Sequence, residues 1–412
     1  MKTRRAQQGQ AIILIVLAIV GMVGLVALAV DGGNAFADRR HAQSAADAAA
    51  LAAALASASG GTTEAINNAA LGIALDNGYG YQITEVNNPP QAGCGGQTNI
   101  YIGNDEYFQV IIHSEVDTYF ARVLGVERLQ NCVEAIARGT PAHTEPMYFG
   151  NAMVSLNPHD CRAVEVGGDT DATLLGGGLF VNSDSTCAQG ALRTNGNPDF
   201  TAPSACANGT ALINLGNPMS GFYPLPTACP THYDYPPTNI IFPTVTCTTE
   251  GTRGDDGALT PGSMPASWLS GDVTLAPGVY CLSGSVTING HDSIAGDGIL
   301  LYFIDGSMHI NGDADIHISA ATTGDYAGLL IYQPLANSTN MILNGTADTV
   351  FSGSILAPAA DIQLNGTMDL NTFDSQIIGY TLDLSGTFEG TIRYDDNQNY
   401  DATVPPTVEI IK

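Results

Sequence analysis

The sequence predicts an α+β beginning followed by a mainly β chain: a long N-terminal transmembrane and stalk helix, a small α/β unit, and a C-terminal β-solenoid, with a right-handed parallel β-helix favoured and a β-sandwich as the alternative. Three observations lead there. Ala11 to Val30 carries no charge and passes into an alanine-rich stretch. The 412 residues include 47 glycines and only 13 % charged side chains, the composition of a turn-dense β protein. A strand-and-corner motif also recurs after residue 160. The segments expected are 1–60 (membrane helix and stalk), 61–140 (α/β unit) and 141–412 (repeat region), the last carrying a Pro- and Cys-rich insertion at 201–268.

The membrane helix follows from length. At about 1.5 Å per residue, Ala11 to Val30 spans roughly 30 Å, the hydrocarbon thickness of a bilayer. A cleaved signal peptide would have a shorter apolar region. Lys2, Arg4 and Arg5 precede the span and the next charge is Asp31. The positive-inside rule therefore makes this a single-pass membrane protein with its N-terminus in the cytoplasm and its bulk extracytoplasmic or at the cell surface. Beyond Gly32-Gly33, the alanines of Asn34 to Ala58 favour continued helix, a rod of about 70 Å in all. Small side chains there allow close packing against a neighbour.

These residues carry a resemblance. Arg4-Arg5, Gly9-Gln10-Ala11, the apolar span, Asp31 with Gly33, Arg39-Arg40, Gln43 and the run Ala45 to Ala52 resemble the N-terminal module of the TadE/TadG-like pilus-assembly proteins of the tight-adherence (Tad/Flp) system. Tyr107 to His113, Thr118 to Gly125 and Ala135 to Arg138 are similar to the strand, Phe-containing linker and final strand of that family's pilin-like domains. The resemblance implies a pilin-like α/β unit, pilus-assembly proteins as partners, and a processing site at Gly9-Gln10. The Glu that such sites carry five residues after the Gly is Leu14 here.

In the α/β unit, Ala65 to Asp76 reads as helix, and Tyr107 to Val116 and Cys132 to Arg138 as strands, from partial alternation of apolar and polar residues. Pro141 and Pro146 bracket a linker.

The repeat reads apolar-x-apolar, then Asn/Ser/Gly-Gly, two residues, and an acid. Copies are Met308-His-Ile310-Asn311-Gly312 to Asp315, Met341 to Asp348, Ile362 to Asp369 and Leu382 to Glu389, with Val286 to Ser293 as a variant and earlier copies at Val164 to Asp171 and Leu192 to Asp199. A recurrence near 21 residues suits a solenoid, in which no copy buries its apolar face alone. Asn-Gly supplies the left-handed backbone of a sharp corner, though it also makes hairpin turns. The inward pairs expected are Val286/Ile288, Met308/Ile310, Met341/Leu343, Ile362/Leu364 and Leu382/Leu384.

Eight cysteines, Cys94, Cys132, Cys161, Cys187, Cys206, Cys229, Cys247 and Cys281, lie beyond the span with no Cys-x-x-Cys pair, which favours disulfides over zinc. Cys94 and Cys132, alone in the α/β unit, should pair; the other six allow fifteen connectivities. The repeat acids, Asp315, Asp348 and Asp369 foremost, have two readings: a stack of carboxylates holding Ca²⁺, or corner caps that accept backbone N–H bonds. The second is favoured, because Asp-x-Asp calcium loops with a final Glu are absent. His309 and His317 would share one outer face with Asp313 and Asp315.

Charge excludes a class of partner. Residues 1–140 hold 8 basic and 12 acidic side chains and residues 141–412 hold 5 and 28, so -23 of the net -27 lies in the second part. Such a polyanion repels phosphate backbones, and no nucleic acid is expected. Gly-x-Ser-x-Gly, His-Glu-x-x-His and Walker patterns are all missing. The expectation is therefore not an enzyme but a membrane-anchored, TadG-like component of a Tad/Flp pilus system. It would display an acidic β domain for pilus assembly or surface adhesion, through a surface glycan or self-association, with no cofactor. The alternative is an anchored β-helix enzyme acting on polysaccharide, working with paired carboxylates.

Overall fold

The computed structural model describes residues 8–213, 221–238, 240–312, 314–344, 349–365 and 370–412. It divides into two units, Met1–His143 with Pro405–Lys412, and Thr144–Val404.

The first unit is built on α1 (Gln8–Ala58), 51 residues without a break. At 1.5 Å per residue it is roughly 77 Å long. It is the one described helix long and apolar enough to cross a bilayer. α2 (Thr63–Asp76) starts where the Thr62 hydroxyl accepts the Ala65 N–H at 3.3 Å. β1 (Thr84–Asn87), β2 (Tyr107–Asp117) and β3 (Arg128–Thr140) then form an antiparallel sheet, joined on its β3 edge by the strand Thr407–Ile410. The alanines of α1 explain how helix and sheet meet. Ala42, Ala45, Ala46, Ala49, Ala50, Ala53 and Ala54 are buried in one cluster with Ala70 and Ala74 of α2 and with Val110, Ile112, Val133, Ala135 and Ala137 of the sheet. Side chains of one carbon let the helix lie close to both; at Gly139 a Cβ would strike the Ala54 carbonyl, so even alanine is too large.

The second unit is almost wholly β. Its ten-stranded sheet runs, in spatial order, Ala258–Leu259, Asp272–Leu275, Ser293–Gly296, Asp315–Ser319, Thr349–Ser352, Leu370–Asp374, Glu389–Arg393, Asp171–Leu175, Asp199–Thr201, Gly221–Tyr223. A second sheet follows the same order, through Gly262–Pro265, Gly278–Ser283, Ile299–Phe303, Leu329–Tyr332, Ser354–Asn365, Ile377–Ser385, Met153–Ser155, Leu179–Val181 and Ala205–Ala207. Branching from its long strands is a third row that contains the inward pairs. Val286 faces Met308, Met341 faces Ile362, Ile362 faces Leu382, and Leu382 faces Val164, all in parallel register. The five expected pairs are all buried.

Strand order and chain order differ in one informative way. Residues 258–393 advance from one end of the sheets to the middle, where Ile377–Ser385 pairs with Met153–Ser155 and Val164–Gly168, and Glu389–Arg393 with Asp171–Leu175. Residues 153–223 continue from there to the other end. The chain must therefore travel back along the whole row between residues 223 and 258, and it does so as a strap without regular strands among its described residues. Strands Asp199–Thr201, Ala205–Ala207, Ala211–Leu212 and Gly221–Tyr223 occupy the front of the Pro- and Cys-rich stretch, and the strap occupies its middle.

The strap lies over the second sheet. Tyr233 packs on Tyr148 and Phe180 (ring centroids 5.5 and 5.9 Å), Tyr235 packs on Tyr380 (5.0 Å), Ile240 is buried, and the Tyr326 hydroxyl donates to the Thr244 carbonyl at 2.9 Å. Disulfides hold both ends: Cys206–Cys229 on one outer strand, Cys247–Cys281 near the other. Seven interstrand steps of about 4.8 Å separate those attachment strands, roughly 34 Å, within reach of the chain between Cys229 and Cys247.

Replacing Cys247 and Cys281 together by Ala frees one end of the strap and should lower the stability of this unit by roughly 2 to 4 kcal/mol through the opened loop. The midpoint of urea unfolding reads the loss; an unchanged midpoint would mean that the strap adds nothing to the sheets beneath it.

Candidate functional site

The surface of α1 changes character along its length. Ile12, Leu14, Leu17, Leu25 and Leu28 are each more than half exposed, whereas Ala42, Ala45, Ala46, Ala49, Ala50, Ala53 and Ala54 are covered. The most apolar eighteen-residue window has mean hydropathy 3.1 and is 6 % buried. Protein covers one stretch of the helix, and the other presents mostly exposed large apolar side chains.

Asp31 marks the change. It is the first charge after the span and is 3 % exposed. Its carboxylate accepts three backbone N–H groups of the β2–β3 connection, from Tyr119 (2.8 Å), Phe120 (2.9 Å) and Ala121 (2.6 Å). Three donors at the start of a short helical turn suit a carboxylate, which offers acceptors only. The loop so held carries exposed Tyr119 and Val123, 71 % and 76 %.

Two turns further on, Asp38 gathers a second set of partners. Its carboxylate accepts the Ser114 hydroxyl, the Asn131 amide at 2.8 Å and the Tyr79 hydroxyl at 3.4 Å. Burial first, then the Asp38 charge, pushes the Tyr79 hydroxyl up to about 12, so it remains a donor at neutral pH. Gln43 donates to the Glu134 carbonyl at 3.0 Å, and the buried Glu134 carboxylate takes Gln109 Nε2 at 2.8 Å and Lys412 Nζ at 2.7 Å. Polar residues of the helix motif thus pin α1 to β2 and β3, while Arg39 and Arg40 stay exposed.

The residues singled out by sequence fall as follows. All eight cysteines are paired: Cys94–Cys132, Cys161–Cys187, Cys206–Cys229 and Cys247–Cys281. Gly9 and Gln10 lie in the first turn of α1. Asp315 is exposed and pairs with His317 at 2.9 Å; Asp348, Asp369 and Asp313 lie outside the described residues. His309 turns instead to the Asn340 carbonyl, 3.1 Å from its Nε2. Corner acids do meet in register elsewhere, where Glu389, Asp171 and Asp199 occupy facing positions on three adjacent strands. In the Val286–Ser293 copy, where Ser293 takes the acid's place, the preceding Asp292 accepts the Asn289 N–H at 2.9 Å.

Asp383 was not anticipated. It sits on the outer side of Ile377–Ser385, facing Glu165 across one ladder and Gln363 across the other. Burial pushes its carboxyl up; Ser385 pulls it back, Glu165 adds to the rise and Arg162 opposes it. Only the parallel register brings 165 and 383 together, so no local signal announces the pair.

Among known proteins, residues 9–57 match a family model described as "Putative Flp pilus-assembly TadE/G-like". The match coincides with the part of α1 that holds the span, Asp31, Asp38 and the buried alanines. This N-terminal module is that of the Tad pilus-assembly kind. No curated protein and no solved structure matches the chain.

In Asp31→Ala, the amides of Tyr119, Phe120 and Ala121 should exchange with deuterium at least about tenfold faster, with Asp31→Asn in between and the β2–β3 ladder unchanged. Equal protection in parent and variant would mean that the carboxylate does not hold the loop. For Asp383, the folded state binds the proton more tightly than the unfolded chain, so the cost of ionisation is absent well below the ordinary carboxylate value and complete once pH exceeds the raised one. Asp383→Asn should therefore stabilise at neutral pH, by up to about 1 kcal/mol after solvent screening, and be neutral at about pH 3. Thermal melts at the two pH values give the comparison.

Proposed function

We propose that this chain is a single-span, membrane-anchored, TadG-like component of a Tad/Flp pilus system, with a cytoplasmic N-terminus and an exported β-solenoid that serves pilus assembly or surface adhesion. The observation that carries the reading is α1 itself. One helix contains both the residues matched by the pilus-assembly family and a run of exposed large apolar side chains, and it changes to a protein-packed surface at the first charge after that run. Tyr119 and Phe120, fastened to Asp31, then lie at the level where a bilayer interface would begin, the depth that aromatic residues favour.

The solenoid reading rests on register. Every described pairing within the two large sheets is parallel, the sheets share one strand order, and the chain returns to the facing position after 22 residues from Val286 to Met308, 21 from Met341 to Ile362 and 20 from Ile362 to Leu382. Hairpins, which a sandwich of the alternative kind needs, would be antiparallel. A composition of 4 basic and 27 acidic residues in 144–404 suits a structural display unit outside the cell. Its partners on this reading are pilus-assembly proteins, a surface glycan or a second copy of the chain.

Protease added to intact cells should remove the chain beyond about residue 60 and leave a membrane-bound stub, and detergent-solubilised full chain should turn over no member of a polysaccharide panel. A protected C-terminal part in cells shown to be permeable to the protease would reverse the topology, and turnover of a glycan would replace the structural role by the enzymatic one.

A further inference from the structure

In the second unit, three polar side chains from well-separated positions converge beside the outer end of the strap. His159 Nδ1 lies 2.9 Å from Asp184 Oδ1, and His232 Nε2 lies 4.0 Å from Asp184 Oδ2. One ligand atom from each of the three falls within 4.8 Å of the others, and the two imidazole rings stack with centroids 5.7 Å apart. We propose that His159, Asp184 and His232 form a binding site for a first-row divalent metal ion of the zinc type, which clamps the strap onto two adjacent strands.

The backbone that carries each donor is held by buried polar groups. After Met153–Ser155, fully buried Asn157 accepts the N–H groups of His159 (3.0 Å) and Asp160 (2.7 Å), which turns the His159 side chain outward. After the neighbouring strand Leu179–Val181, the Asp184 N–H donates to the Pro158 carbonyl at 2.9 Å, which lays this second turn on the first. On the strap, the Cys206–Cys229 disulfide lies three residues before His232. Immediately after it, buried Asn182 accepts the Tyr233 N–H and donates to the Tyr233 carbonyl, both at 2.8 Å. All three donors thus stand on fixed backbone, as a metal site requires.

The donor set selects the ion. Two imidazoles and one carboxylate suit zinc and its first-row neighbours and not calcium, which takes oxygen ligands. Around a tetrahedral ion with bonds near 2.0 Å, ligand atoms stand roughly 3.3 Å apart. His159 Nδ1 stands 2.9 Å from one Asp184 oxygen and His232 Nε2 4.0 Å from the other, while His232 Nε2 also lies 3.2 Å from the Pro158 carbonyl, so the ion takes its place between them when the His232 ring turns from that carbonyl towards Asp184. Side-chain exposures of 67 %, 52 % and 30 % for His159, Asp184 and His232 leave the fourth position to water.

The test uses the full-length protein in detergent, stripped with a chelator and titrated with zinc chloride. Calorimetry should give one zinc per chain that a His159→Ala/His232→Ala variant lacks, with Asp184→Ala at least tenfold weaker and His309→Ala/His317→Ala like the parent. Zinc should raise the melting temperature of the parent and not of the double variant, and calcium should raise neither. X-ray absorption of the loaded parent should report two imidazole ligands. The variants replace exposed side chains, and an unchanged far-ultraviolet spectrum checks their folding. Zinc binding that survives in the double variant, loss in the His309/His317 variant, or no binding at about 100 micromolar zinc would each overturn the assignment.

Discussion

The second unit depends on one joint. Leu382 and Leu384 lie in parallel register with Val164 and Val166, so the last strands of the long C-terminal row pair with the first strands of the N-terminal row. Without that pairing, residues 153–223 and 258–393 would form two shorter rows, each with an additional unpaired edge and an uncovered apolar end. Corner glycines make the approach possible. A Cβ at Gly168 would strike the Gly386 carbonyl, and one at Gly196 would strike the Gly168 carbonyl, so three corners lie one above another with only backbone between them. All three have the left-handed backbone that glycine adopts at least cost, with φ of +72°, +92° and +83° at 168, 196 and 386.

The strap follows from the joint. A row filled from its end to its middle, by strands later in sequence than those filling the other half, obliges the chain to run back along its length. That run cannot add a strand to the sheet it crosses, because those strands are already paired on both sides. It therefore covers the outer face with side chains, and Tyr233, Tyr235 and Ile240 bury apolar surface there. Its prolines then have a reason. A segment that lies across strands needs no ladder hydrogen bonds, so the missing N–H of proline costs it little.

These relations explain what could be read from sequence. The inward pairs were legible because apolar-x-apolar before Asn-Gly repeats in the chain itself, and each such pair is buried. Cys94–Cys132 was legible because the α/β unit holds only two cysteines. Strand order was not, since a period says that copies stack and does not say which two ends meet. The same ignorance leaves fifteen connectivities for the other cysteines, because Cys206–Cys229 and Cys247–Cys281 depend on the path of the strap. Thr407–Ile410 joins the first unit's sheet after more than 260 intervening residues, and four residues of alternating pattern give no hint of that partner. Asp31 and Asp38 stood in the recognised motif, yet the amides and side chains they bind are 41 to 93 residues away in sequence, beyond any local pattern.

The return of the chain at Pro405–Lys412 bears on how the two units can coexist in one protein. The second unit is inserted between β3 and its neighbour Thr407–Ile410, which face one another from Thr140 and Thr407. Such an insertion preserves the host sheet only if the inserted unit begins and ends in one place, otherwise those two strands would be pulled out of register. Its ends meet that condition, since His143–Pro146 and Asp401–Val404 pair with each other, and Ile241 of the strap bridges to Thr403. The joint at Val164 and Leu382 is what brings the ends together: it puts the beginning of the N-terminal row beside the end of the C-terminal row, in the middle of the sheets. Had the copies followed simple chain order, the unit would enter at one end of the row and leave at the other, too far apart for adjacent strands of a single sheet. Strand order, strap and insertion are therefore three consequences of one register, and a change that slipped Leu382 against Val164 would disturb all of them.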